Sequence, residues 1–141
     1  VLEESDVPFY ETFIIERGTD SEILLHSCLE TIGVSSLSEW DMFVFVYRHG
    51  PCLTSTDRIA RLIGYEKTLV AAALDHLENR ELIERVGPPQ GTRIHRVFAS
   101  LIVEQRRCIR QLVGMSGSRA GRLLLMKLLM PIQIESPTKN N

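Results

Sequence analysis

No stretch of this sequence is long and apolar enough to read as a membrane span. The greasiest, residues 123–134, is 12 residues long and is interrupted by Lys127 and Pro131, against the roughly 20 that a helix needs to cross a bilayer. Cysteine is scarce. Cys28, Cys52 and Cys108 are odd in number and far apart, which excludes the disulfide framework of a small secreted protein and points to reduced thiols. The sequence opens Val-Leu-Glu-Glu with neither Met nor a basic, apolar leader, so a cytoplasmic protein is expected. Glycine-rich phosphate loops and Gly-x-Ser-x-Gly elbows are missing, and with them the signatures of P-loop and serine-hydrolase chemistry. The four histidines, His26, His49, His76 and His95, are scattered. Only His49 and Cys52 stand close, whereas a zinc site takes four ligands, or three and a water. Cys52 would sense oxidants only if its thiolate were favoured, and His49 is the one local group that would favour it. No metal, cofactor or enzymatic activity is expected.

Apolar residues make up 44% and charged residues 24% of the 141, the proportions of one folded domain with a core. The formal net charge of -2 conceals a division. Residues 1–47 hold ten acidic side chains and one basic one, Arg17, for a charge of -9. Residues 48–141 hold eight acidic and fifteen basic, for +7. Thirteen of the sixteen cations are Arg, the side chain suited to forked contacts with phosphate and base edges. A basic carboxy-terminal part facing a polyanion is one reading of this split, and mutual neutralisation on folding is the other.

Capping signals punctuate the chain, which has no internal repeat. Thr19-Asp-Ser-Glu22 has the hydroxyl-x-x-acid spacing of a helix start, and Ile23, Leu24, Cys28 and Ile32 follow at helical intervals, predicting a helix over 20–32. Residues 7–15 before it are short and apolar, open to strand or helix alike. Ser38-Glu-Trp-Asp41 repeats the capping spacing, and the stripe Trp40, Phe43, Val44, Tyr47 halts at Gly50-Pro51, predicting a second helix over 38–49. Thr54-Ser-Thr-Asp57 starts a short third helix that ends at Gly64, a natural left-handed stop. A fourth, over 66–80, gathers Leu69, Val70, Ala73, Leu74 and Leu77 on one face. Two β-prone runs, 82–86 and 92–98, flank Gly87-Pro-Pro-Gln-Gly91 and read as a hairpin. Two helices follow: 101–113, with Arg106, Arg107 and Arg110 on its polar side, and 119–130, rich in Leu and Met. The tail 136–141 is polar and is expected to fray.

The expected fold class is therefore mainly α with a small β-hairpin. Helix, short helix, tight turn, longer helix and hairpin come in the order of a winged helix-turn-helix. The stretches Ile59-Ala-Arg-Leu-Ile-Gly64, Leu74-Asp-His-Leu-Glu78, Glu81-Leu-Ile-Glu-Arg85 and Gly91-Thr-Arg-Ile-His-Arg96 carry a likeness. Over 37–98 the chain resembles the DNA-binding core of MarR-type transcriptional regulators. The resemblance implies a winged helix-turn-helix domain over 37–99, preceded by an acidic segment with one helix over 1–36 and followed by dimerisation helices over 100–135. It implies double-stranded DNA as partner, with the 66–80 helix entering the major groove so that Lys67, Thr68, Ala71 and Ala72 face the bases. Arg93 and Arg96 of the wing are candidates for the minor groove. Three positions apart on a strand, they point to opposite faces, and Arg93, nearer the loop, is the preferred one. Arg48, Arg58 and Arg61 are candidate phosphate clamps.

The reading face departs from the family pattern in carrying two alanines and no arginine, with Glu66 and Asp75 adding negative charge. Glu81 stands where the family has glycine, and Gly91 replaces an Asp two places before Arg93. Residues 123–130 are apolar on most sides, more than one small domain easily covers, and a second copy of the chain would bury them; packing within the chain is the alternative. Two functions stay open. One is a homodimeric DNA-binding regulator, with or without a small-molecule effector held between wing and dimer helices. The other is a winged helix that docks protein through Ala71 and Ala72.

Overall fold

The structure, a computed structural model, describes residues 18–88 and 90–130. The ambiguous segment 7–15 and the tail 136–141 lie outside them. The elements are α1 (Gly18–Ile32), α2 (Leu37–His49), β1 (Cys52–Ser55), α3 (Thr56–Ile63), α4 (Lys67–Asn79), β2 (Ile83–Val86), β3 (Thr92–Val97), α5 (Val103–Ser116) and α6 (Arg119–Leu129). The protein is mainly helical, with a small antiparallel sheet in the order β1-β3-β2.

That sheet has three strands where the sequence predicts a two-stranded hairpin. The extra one, β1, pairs Cys52 with His95 and Thr54 with Arg93. Four residues have too little periodicity to announce a strand; β1 exists because β3 offers it a free edge. Its presence moves the start of α3. The cap is Ser55, whose hydroxyl accepts from the Arg58 N–H at 3.2 Å, while Thr54 belongs to the ladder. Similarly, α2 is capped by Ser36, which accepts from the Glu39 N–H at 3.2 Å, and not by Ser38.

Trp40, Phe43, Ile59, Val70, Leu74 and Leu82 are fully buried and pin α2, α3, α4 and the sheet together. A second seam joins α1 to α5, where Leu25, Cys28 and Ile32 meet a face holding Cys108, Ile109 and Leu112. Helix α6 closes on this seam. Leu125 and Leu129 are buried within the chain itself, and Leu123 is left 55% exposed. The apolar run at 123–130 is thus a core stripe with an uncovered flank, not a wholly uncovered helix. Arg122 ties α6 to α2 by donating to both oxygens of Asp41, at 2.7 and 3.2 Å. Asp41 also accepts from the Tyr65 hydroxyl at 2.5 Å. Burial, and then this carboxylate, push the Tyr65 phenol up to about 12.

Glu81 explains itself here. Its φ is 61°, the left-handed conformation that favours glycine, as is fitting for a tight exit from α4. Left-handed backbone costs a non-glycine residue about 1–2 kcal/mol, and glycine's extra freedom when unfolded returns part of that. Glu81→Gly is therefore expected to stabilise by about 0.5 kcal/mol, to be read from the urea midpoint; a loss of stability would contradict this account.

Candidate nucleic-acid interface

Helix α3 ends at Gly64, whose φ of 83° turns the chain through Tyr65 and Glu66 into α4. Along α4 the buried positions are Val70, Ala73, Leu74 and Leu77. That packing turns Lys67, Thr68, Leu69 and Ala72 outward and leaves Ala71 half-buried. The amino-terminal half of α4 is thus an exposed face beside the wing. Between them runs a cleft of about 330 Å³, lined by Ser55, Asp57, Lys67, Ala71, Gln90 and Gly91. Lys67 reaches Asp57 at 3.0 Å, an exposed pair of the kind worth little in water and easily exchanged for phosphate.

The candidate residues divide into groups. Lys67 and Ala71 share the cleft with the wing loop, and Thr68 and Ala72 lie on the exposed side of the same helix. Arg58 and Arg61 are exposed on α3 and Arg48 ends α2, and none of them joins an ion pair among the described residues. The wing arginines point to opposite faces, as strand alternation requires. Arg93 is half-buried on the face shared with Thr54, and its Nε has no hydrogen-bond partner among the described residues. Arg96 lies opposite Glu84 and donates to its carboxylate at 3.2 and 3.4 Å. That carboxylate also accepts from the Ala99 N–H, at 3.0 Å. The Ala99 bond and then Arg96 hold Glu84 below the usual carboxylate range.

Asp75, a negative charge on the candidate helix α4, has a partner. Arg85 of β2 donates to Asp75 and to Glu78. Glu39, buried on α2, meets His76 Nδ1 at 2.6 Å. Sequence reasoning missed both pairs, and also Gln90 and Ser55 in the cleft. Only the alternation of charge between 75–78 and 84–85 hinted at the first.

His95 is fully buried at the centre of β3. Burial, and then the Arg85 guanidinium, push its pKa below the ordinary 6.5, against the opposing effects of the Arg93 backbone and, more weakly, of Glu78. The folded protein therefore takes up this proton less readily than the unfolded chain. The neutral ring contributes stability above about pH 6.5, and that contribution is lost as the pH falls below it. Urea midpoints are expected to fall between pH 7 and 5 with a slope that His95→Leu reduces; an unchanged slope would assign the acid sensitivity elsewhere.

Cys52 does not favour its thiolate. Burial pushes its pKa up, and so does burial for Cys28, to about 11, with the Cys108 thiol adding to the effect. Among the described residues no group of three or more His, Cys, Asp or Glu is placed to hold a metal ion. None of the described helices is long and apolar enough to cross a membrane. Native alkylation is expected to label Cys52 first, with Cys28 and Cys108 reacting only on unfolding, as intact-mass analysis over time would show; early loss of Cys28 or Cys108 would contradict the burial.

A short helix, a tight turn and an exposed helix, flanked by an antiparallel sheet with its loop beside that helix, define a winged helix-turn-helix. Residues 32–94 match the family model described as MarR family. Over this stretch the chain carries a winged helix-turn-helix domain similar to those of the MarR family. No curated protein matches it. Among solved structures, an ArsR-like transcriptional regulator from Rhodococcus sp. RHA1 is similar at 20% identity, over 80% of this chain and 96% of that one, with a TM-score of 0.42, a likeness too loose to bear on the chemistry.

Proposed function

We propose that the protein acts in the cytoplasm as a homodimer, with residues 37–99 reading duplex DNA and residues 100–135 pairing with a second copy. In this reading Lys67, Thr68, Ala71 and Ala72 meet the major groove, Arg93 enters the minor groove, and Arg58 and Arg61 clamp phosphates. Arg96, paired with Glu84, serves as an outer phosphate contact. The observation that carries it is the cleft between α4 and the wing loop, open to solvent and lined by Lys67, whose exposed ion pair with Asp57 is readily exchanged for phosphate. Alanine at 71 and 72 suits thymine methyls, and Thr68 bonds several base edges. Discrimination then comes from apolar contact and DNA shape more than from forked base contacts.

Anisotropy titrations on a duplex at several salt concentrations test this. Five neutralised phosphates predict log affinity falling against log salt with a slope of about -4 to -5. Absence of salt-dependent binding to any duplex at low ionic strength would sink it. Support for the dimer comes from Ile23 and Leu24 on α1, Ile102 and Val103 at the start of α5, and Leu123 on α6, all exposed apolar side chains. Light scattering is expected to give twice the 16.0 kDa of the chain. A small-molecule effector, if one acts, would occupy the cavity of about 200 Å³ between wing and α5, lined by Tyr47, Phe98, Arg106 and Ile109.

A second reading, protein docking, draws on Leu69, 43% exposed beside Ala72 and facing a groove of about 280 Å³ that Ser36 and His76 also line. Pull-down that survives Arg93→Ala and fails with Ala72→Glu, without any duplex binding by the unaltered protein, would favour it.

A further inference from the structure

The wing and the reading helix come from separate elements, and both must meet one duplex at a set spacing. Apolar packing under the wing, through Leu82 and Ile83, is strong but non-directional. Arg85 is different. Its side chain is 7% exposed. Its Nε and a terminal nitrogen donate to Glu78 Oε1 at 3.2 and 2.7 Å, and the terminal nitrogen also donates to Asp75. Asp75 and Glu78 lie three apart on α4 and so face the same way. Among the described residues no other side-chain hydrogen bond joins α4 to the sheet.

We propose that Arg85 is a positioning residue for DNA binding, a strut that holds the wing against α4 so that Arg93 and the reading face engage one duplex together. The proposal rests on the DNA-binding reading above. It explains why a helix meant for a polyanion carries two carboxylates: both are answered by a planar, forked cation. A guanidinium fixes direction in a way that an ammonium does not, and the buried Arg85 charge depends on the carboxylates that answer it from the more exposed side.

Arg85→Lys keeps the charge and loses the fork. Duplex affinity by anisotropy is expected to fall about tenfold, the size of a lost phosphate or groove contact. Arg93→Ala alone is expected to cost about tenfold, but less than about twofold when added to Arg85→Lys, because the wing is then no longer held in reach. The full cost of Arg93→Ala in both backgrounds overturns the strut. Should Arg85→Lys fail to fold by circular dichroism, Glu78→Gln, which leaves the Asp75 arm, carries the same cycle. Hydrogen exchange on the DNA-free proteins separates the failures. Amides of β2 and β3 are expected to exchange at least about tenfold faster in Arg85→Lys, while those of α1 and α5 keep their rates. Unchanged wing protection overturns the strut whether or not the unaltered protein binds a duplex. Absence of duplex binding by the unaltered protein, with the wing loosened as expected, sinks the DNA-binding reading alone.

Discussion

Ala72→Glu is expected to lower affinity for duplex DNA by at least about 100-fold, roughly 2.7 kcal/mol, with the far-UV spectrum and thermal midpoint nearly unchanged. Ala72 is exposed on the outer side of α4 and belongs to no core cluster, so the longer side chain meets solvent and glutamate is a good helix former. The fold has no reason to suffer. The complex has two. A carboxylate at this position enters a groove walled by phosphates, where partial exclusion of water strengthens the repulsion, and the side chain occupies the space in which a methyl group would touch a base edge. Ala72→Lys should raise affinity for all sequences and steepen the salt slope by about 1. Anisotropy on specific and random duplexes reads both. Unchanged binding by Ala72→Glu would remove α4 from the interface.

Gly121→Ala is the second large effect, and it acts on stability. Gly121 is buried in the first turn of α6, its N–H donated to the Ser118 hydroxyl at 3.0 Å. A Cβ there would lie 1.8 Å from the Met115 carbonyl oxygen and 2.7 Å from its carbon. Those atoms are backbone in the last turn of α5, and backbone cannot swing aside as a side chain would. Helix α6 must lift from α5, straining its Arg122 tie to Asp41. Overpacking of this kind costs about 3 kcal/mol, which for a domain of this size lowers the thermal midpoint by roughly 10 °C. Gly114, the residue before Met115 on α5, is the control. A Cβ there meets nothing within 4 Å, and Gly114→Ala is expected to stabilise by about 0.5–1 kcal/mol through the glycine entropy it removes. Thermal melts of the two variants decide it, and a Gly121→Ala midpoint equal to the parent's would contradict the close approach.

Several elements could be read in the sequence because their causes are local. The stripe of Val70, Ala73, Leu74 and Leu77 has the period of a helix wherever it is placed, and Gly64 stops α3 by its own conformational freedom. The alternation that sends Arg93 and Arg96 to opposite faces is a property of any strand. Strand β1 could not be read in the same way, because it exists only by pairing with β3, about 40 residues further on. The capping serines were misplaced by one or two residues for a related reason: Ser and Thr cluster before α2 and α3, and only the path of the backbone selects which hydroxyl meets an amide.

The candidate interface divides along the same line. Lys67, Thr68, Ala71 and Ala72 follow from where α4 begins, so the sequence alone determined this candidate helix, its plain surface and the surplus of arginine after residue 47. Which arginines stay free was decided by tertiary structure. Arg85 is taken by Asp75 and Glu78, Arg96 by Glu84 and Arg122 by Asp41, whereas Arg58, Arg61 and Arg93 join no ion pair among the described residues. Charge can be counted along a chain, but its neutralisation depends on distances between side chains that are remote in sequence, and only the packing of helices and sheet sets those distances.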